Sequence, residues 1–379
     1  MRQALHNGKL LTPQGWLEQQ VLLIKDGLIE ALVSEDDSRC LDANLIDLQG
    51  QRLLPGFIDI QVNGGGGALF NDDPSVATIR RIGEAHRRFG TTGFLPTLIS
   101  DDRDAIRRAV EAVNAAIAEG VPGVLGVHIE GPCLNRHKKG THDAAKFRDL
   151  DDEDIEVLGS LSAGRTLLTL APEMTSTATI ARLSQAGVIV SAGHSNASYA
   201  DMRRALDHGV SAVTHLFNAM SPLTSREPGV VGAALDDPRC WCSIIVDGVH
   251  VDPAVLRVAL AARQRQRFIL ISDAMPSVGS DLPHFLLQGR RIEEKSGRLL
   301  DPDGVISGST LDMASAVRNA QQWLGLTLEQ SVHMASAAPA EFLGLQDRTG
   351  AIRPELRADL VLVDQNIKVQ RSWIAGNES

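Results

Sequence analysis

The chain has 379 residues, 43% of them apolar, and a formal net charge of −10. Its length supports a large core and exceeds a typical domain of roughly 100–200 residues, although barrels reach about 250. The acidic balance argues against non-specific nucleic-acid binding, which needs a basic face, but allows an anionic small substrate in a locally basic site. Cys40, Cys133, Cys240 and Cys242 are too few and scattered for a disulfide framework. Cys240 and Cys242, in CWCSIIV, read as small apolar residues of a strand, with metal or redox chemistry as the lesser alternative. MRQALHNGKLLTPQGW lacks the apolar stretch of a signal peptide, and no uncharged run of about 18 apolar residues appears. The expectation is a soluble, cytoplasmic protein that binds neither membrane nor nucleic acid.

In chain order, ALHNGKLLTPQGW and QVLLIKDGLIEALV are apolar runs punctuated by Gly and Pro, the texture of short strands and turns. The C-terminal GAIRPELRADLVLVDQNIKVQRSWIAG is similar, which suggests one small β-sandwich domain built from residues 1–52 and 350–379. Between them, eight apolar, β-branched runs fall at 53–60, 93–99, 123–129, 166–172, 188–194, 212–217, 243–248 and 268–273. Amphipathic stretches such as VATIRRIGEAHRRFG and RDAIRRAVEAVNAAIAEG separate them. Alternating strands and helices give a parallel sheet, and eight units suggest a (β/α)₈ TIM-like barrel over 53–349. In the unit between His194 and His215, Ser198 can cap a helix with Asp201 in its first turn, and Gly209 can stop it.

Barrel active sites lie at the C-terminal strand ends. Glu130, His194, His215 and Asp273 fall at the ends of strands three, five, six and eight, so they share one mouth. Singly, each has a structural explanation, but together two imidazoles and a carboxylate suit a borderline divalent metal, with a further carboxylate to manage protons. His128 shares a strand face with Glu130, either orienting a ligand or filling the barrel interior. The loop EGPCLNRHKKGTH (130–142) suits an anionic substrate at the mouth, with a solvated surface loop as the alternative. Within it, His142 is the first candidate for substrate contact. After His215, Asn218 and nearby backbone N–H groups can hold a polar substrate, and Arg226 offers a fork for phosphate or carboxylate.

The segments LLPGFIDIQVNG, HIEGP, KKGTH, SAGHSNA, THLFNAM, REPGVVGA, DGVHV, ISDAM and ISGSTLDMASAVRN, in this order, resemble the N-acetylglucosamine-6-phosphate deacetylases of the amidohydrolase superfamily. The resemblance implies deacetylation of an amino-sugar 6-phosphate, in amino-sugar catabolism or wall recycling. It implies metal binding by Glu130, His194 and His215, and catalysis by Asp273 as general base and acid. It assigns substrate contacts to Thr141, His142, Asn218, Ala219, Arg226, Asp247, Gly248, Val249, His250, Ile306, Ser307 and Gly308. It also implies a homodimer in which Arg226 reaches the neighbouring active site. Many amidohydrolases carry H-x-H after the first strand, as ligands of a second metal. Here Gln61-Val62-Asn63 stands there, as in a subset of the deacetylases that works with one metal. One divalent ion per chain is therefore expected, zinc first, with Fe2+, Co2+ or Mn2+ as alternatives.

The mechanism expected from this resemblance has a metal that lowers the pKa of a water, Asp273 as proton carrier, and His142 with the metal facing the oxyanion. Arg226 and His250 anchor the phosphate. The alternatives are an N-acetylgalactosamine-6-phosphate deacetylase, a cyclic-amide hydrolase, and a non-catalytic barrel scaffold. The Q-x-N form favours the glucosamine epimer over the galactosamine one.

Overall fold

The computed structural model describes residues 2–263 and 265–378. Eight parallel strands form its centre: β1 (Phe57–Val62), β2 (Thr91–Ile99), β3 (Gly126–Glu130), β4 (Arg165–Leu170), β5 (Ile189–Ala192), β6 (Val210–Val213), β7 (Trp241–Ile244) and β8 (Phe268–Leu270). Each pairs with its sequence neighbour. A parallel bridge between Val62 and Ala274, and the bond from Asp273 N–H to the Gln61 carbonyl (3.1 Å), join the last strand to the first at the C-terminal rim. The helices α1 (Val76–Arg87), α2 (Arg103–Ala118), α3 (Asp152–Leu158), α4 (Thr177–Gln185), α5 (Tyr199–Asp207), α6 (Gly229–Asp236), α7 (Pro253–Ala262) and α8 (Met313–Leu324) complete a (β/α)₈ barrel.

Local chemistry sets these elements. In α2, Ala105, Ile106, Ala109, Val110, Val113 and Ala116 recur at helical spacing and are buried. In α5, Ser198 and Asp201 form a reciprocal capping box, and Met202, Ala205 and Leu206 face the core. Burying one large apolar side chain contributes roughly 1.5–3 kcal/mol, so this narrow stripe outweighs a short helix's poor intrinsic stability. Gly209 follows at φ 125°, a conformation that favours glycine and turns the chain into β6.

The run expected as one strand over 53–60 is two. Arg52–Pro55 pairs antiparallel with Leu360–Val363, outside the barrel, whereas Phe57–Val62 is β1. Gly56 is the joint, and a Cβ there would lie 2.0 Å from Thr92 Oγ1. N-terminal strands form a four-stranded sheet, and strands from both chain ends form a six-stranded one. Leu5, Leu22 and Ile29 of one pack with Leu53, Leu360 and Trp373 of the other in a single buried cluster, which makes a small sandwich.

A three-stranded hairpin sheet between β8 and α8 was not anticipated: His284–Leu287, Arg290–Lys295 and Arg298–Leu300. Its Phe285, Leu287, Ile292 and Leu299 pack on Leu69, Ile99 and Met275 beside the barrel mouth. The four cysteines are free and buried. No helix among the described residues is long and apolar enough to cross a membrane.

Candidate metal centre

Glu130 is the last residue of β3, and His194, His215 and Asp273 follow β5, β6 and β8 by two or three residues. The last three have φ of 47°, 39° and 53°, a left-handed backbone uncommon outside glycine. The surroundings fix it. The His194 carbonyl accepts from Asn135 N–H (2.9 Å), His215 N–H donates to Ser243 Oγ (2.8 Å), and the Asp273 carbonyl accepts from Ser309 N–H (2.9 Å). Backbone strain of this kind concentrates at functional sites, where it aims side chains that a regular strand would not.

Glu130 Oε1 lies 3.1 Å from His194 Nε2 and 2.9 Å from His215 Nε2, and the two nitrogens are 3.2 Å apart. His194 Nδ1 donates to the Lys138 carbonyl at 2.7 Å, so the neutral ring presents a lone pair at Nε2. A carboxylate oxygen and an imidazole lone pair facing each other repel unless a proton or cation lies between them. The three residues, with ligand atoms all within 4.8 Å of one another, thus form a donor set that fits a divalent metal.

Gln61 and Asn63 do something different. Asn63 Nδ2 donates to Asp273 Oδ1 at 2.7 Å, and Gln61 Nε2 lies 3.2 Å from the same oxygen. Gln61 Nε2 is also 3.4 Å from both Glu130 oxygens. Both amides therefore present N–H groups, not lone pairs, to the carboxylates. Behind them, Asp59 accepts from the N–H groups of Gln61 and Ser272 at 3.2 Å each and from the Ser272 hydroxyl, tying β1 to the segment after β8.

Burial raises the Glu130 carboxyl, but the positive charge that its oxygens face, a proton on the imidazoles or a cation between them, outweighs burial and holds the group well below the usual range. Asp273 has no such partners. Burial, then repulsion by Glu130, pushes it up to about 6, close to where a general base and acid works best. Burial brings His142 down to about 3 and His128 to about 4, so both rings are neutral near pH 7. His142 Nδ1 is 2.9 Å from Ser100 Oγ and accepts a longer bond from Ser100 N–H (3.4 Å), which leaves the proton on Nε2. That Nε2 lies 3.8 Å from Glu130 Oε2, beside the metal donors. His128 is in the barrel interior, its Nε2 bonded to the Thr169 hydroxyl at 2.8 Å.

A cavity of about 440 Å³ opens over this centre. Among the expected residues, Glu130, Thr141, His142, His194, His215, Asn218, Ala219, His250, Asp273, Ile306 and Gly308 line it. Gly248 and Val249 are not part of the lining, and Asp247 and Ser307 stand behind it. Asp247 holds His250 through Nδ1 at 2.6 Å, and Ser307 Oγ bonds Thr141 Oγ1 at 3.0 Å. Arg226 is not part of the wall and lies on a fully exposed segment, 222–227. The loop expected at the mouth contributes His137, Lys138 and Gly140 to the wall as well, and Met275 of the ISDAM segment joins them; sequence reasoning missed Ile99, Gly304 and Val305 on the wall, and Ser100 behind His142. The strand-end rule could have found Ser100, which directly follows β2; nothing in the sequence marked Gly304.

The sequence model of the Amidohydrolase family matches residues 52–378. An N-acetylgalactosamine-6-phosphate deacetylase of Shewanella sp. (strain ANA-3) is 41% identical over 369 residues, covering 97% of this chain and 93% of the relative. An N-acetylglucosamine-6-phosphate deacetylase of Haemophilus influenzae is 34% identical over 379 residues, covering 99% of each. The crystal structure of N-acetylglucosamine-6-phosphate deacetylase from Pasteurella multocida superposes with a TM-score of 0.96 at 33% identity, covering 100% of both chains.

Proposed function

Because the chain belongs to the amidohydrolase family, within its N-acetylhexosamine-6-phosphate deacetylases, we propose that it hydrolyses N-acetyl-D-glucosamine 6-phosphate to D-glucosamine 6-phosphate and acetate. The reaction would serve amino-sugar catabolism or wall recycling in the cytoplasm. One observation carries the reading: Glu130, His194 and His215 converge as metal donors while the Asp273 carboxylate faces the same 440 Å³ cavity.

Glu130, His194 and His215 would hold one divalent ion, zinc being the first candidate from two imidazoles and a carboxylate. When bound, such an ion polarises a carbonyl and acidifies a water. Asp273 takes the proton as the water's oxygen bonds to the acetyl carbon. It then gives that proton to the sugar nitrogen as the C–N bond breaks, releasing acetate and the amine. His142, with its proton on Nε2, donates to the carbonyl oxygen as negative charge develops there. His250, held by Asp247, and the partner copy's equivalent of Arg226 would grip the phosphate. The exposure of Arg226 together with Leu223, 58% exposed in the same segment, supports its use in a dimer interface.

The galactosamine epimer is a second reading, favoured by the name of the relative at 41% identity. Acetate release from both N-acetylhexosamine 6-phosphates and from their unphosphorylated sugars tests both. The primary reading expects the highest kcat/KM on the glucosamine phosphate. Faster turnover of the galactosamine phosphate would favour the second reading, and equal rates without phosphate would remove the phosphate contacts.

A further inference from the structure

The hairpin beside the cavity turns at Gln288 and Gly289, with φ of 49° and 79°, between the paired residues Leu287 and Arg290. This two-residue turn needs positive φ at both positions and favours Asn, Asp or Gly at the first. Three other hairpins place Asp26, Ser296 and Ala375, all short side chains, at the corresponding position. Gln288 puts a long side chain there, and the structure gives that side chain two partners. Its Oε1 accepts from Asp143 N–H at 2.9 Å, and its Nε2 donates to the Ser100 carbonyl at 2.6 Å.

Those partners flank one group. Ser100 holds Nδ1 of His142, and Asp143 is the next residue after His142 in the chain. A single amide thus bridges the end of β2 to the basic loop at the point where the loop presents His142 to the cavity. The hairpin is anchored independently by Phe285, Leu287 and Ile292, so the amide is pulled from a fixed base. Lys146 fastens the loop further along, 3.2 Å from Asp101, four residues past His142. Nearer the ring, the His142 N–H bonds the Lys139 carbonyl at 3.0 Å within the loop and the ring packs on Phe147 and His194, so Gln288 and Ser100 are what tie this stretch to the end of β2.

We propose that Gln288 is a positioning residue for the deacetylation, clamping His142 by joining the Ser100 carbonyl to the Asp143 N–H. The inference rests on the role given to His142 above. Gln288 does not line the cavity, so its effect falls on kcat and not on substrate affinity.

Gln288→Asn and Gln288→Gly test it, because both residues suit the turn and keep the hairpin folded while removing the reach of the side chain. Expected are an unchanged or raised Tm, KM within about twofold, and kcat lowered about tenfold, the order of loss that a slightly misplaced group produces. Gln288→Glu retains the acceptor for Asp143 but sets a carboxylate against the Ser100 carbonyl, so it should not rescue kcat. Limited trypsin digestion supplies a readout independent of activity, since the clamped loop carries Lys138, Lys139 and Lys146. Cleavage there should be faster in Gln288→Asn than in the parent. If the parent protein deacetylates neither epimer yet the loop still loosens, the functional reading fails and the clamp stands. A kcat within twofold of the parent, or unchanged loop cleavage, in an active protein would overturn the clamp.

Discussion

At Asp273 the reaction needs a carboxylate that can both take and return a proton. Glu130 cannot serve, because its carboxylate is committed to the donor set with His194 and His215, whereas on Asp273 burial and the repulsion of Glu130 outweigh the pull of His250, His215 and the Asn63 amide. Asp273→Asn removes the proton carrier and preserves the Glu130, His194 and His215 donors. It should keep the metal content of the parent and lower kcat by about 10²–10⁴, the usual contribution of a positioned general base. Single-turnover kinetics beside elemental analysis would show this, and near-normal turnover would remove Asp273 from its role. These four residues were legible in the sequence because each sits at a strand end, where spacing alone predicts convergence. Ser100 and Gln288 were not, since their importance lies in contacts spanning 42 and 188 residues of sequence that no local pattern encodes.

The strands carry the site only while their registers hold. Gly126 opens β3 at φ 154°, and a Cβ there would stand 1.9 Å from the Arg165 carbonyl oxygen of β4. Gly126→Ala should therefore cost several kcal/mol, on the order of 3, in urea unfolding, since neither backbone can yield without breaking the ladder. It should also weaken metal binding, because Glu130 is the far end of the same strand. A second element-level device ties α5 to α6. Asp237, just past α6, pairs with Arg239 and lies 3.0 Å from Arg203, while Arg239 also reaches Asp207 beyond it. The hydrogen bond from Arg239 holds the Asp237 carboxyl down at about 2. The folded value lies below the unfolded one of about 3.9, so this stabilisation is complete above that pH and is lost as pH falls towards about 2. Asp237→Asn should accordingly lower Tm at pH 7, with the deficit shrinking as the pH is brought below about 4. The eight strand runs were readable because buried parallel strands are continuous apolar segments. The division at Gly56 was not, since both halves are equally apolar. The hairpin sheet was hidden because RRIEEK is mostly charged and only Ile292 in it is buried.

At the scale of the whole molecule, the barrel supplies the mouth, the sandwich of both termini closes the chain on itself, and the hairpin braces one loop of the cavity. Arg226, the phosphate contact proposed above, lies exposed outside the cavity wall of its own chain. The dimer proposed above accounts for it. Arg226→Ala should raise KM for the phosphorylated sugar by about 10–100-fold, the loss of a charge-assisted pair of roughly 1.5–3 kcal/mol, with little change for the unphosphorylated one. An equal effect on both sugars would place Arg226 outside phosphate recognition. The most direct test of the whole account is to strip the protein with a chelator and titrate zinc back while following acetate release from N-acetylglucosamine 6-phosphate. Because Gln61 and Asn63 turn N–H groups towards the carboxylates, activity should rise linearly and saturate at about one ion per chain. Saturation at two tightly bound ions, or full activity in the stripped protein, would contradict it.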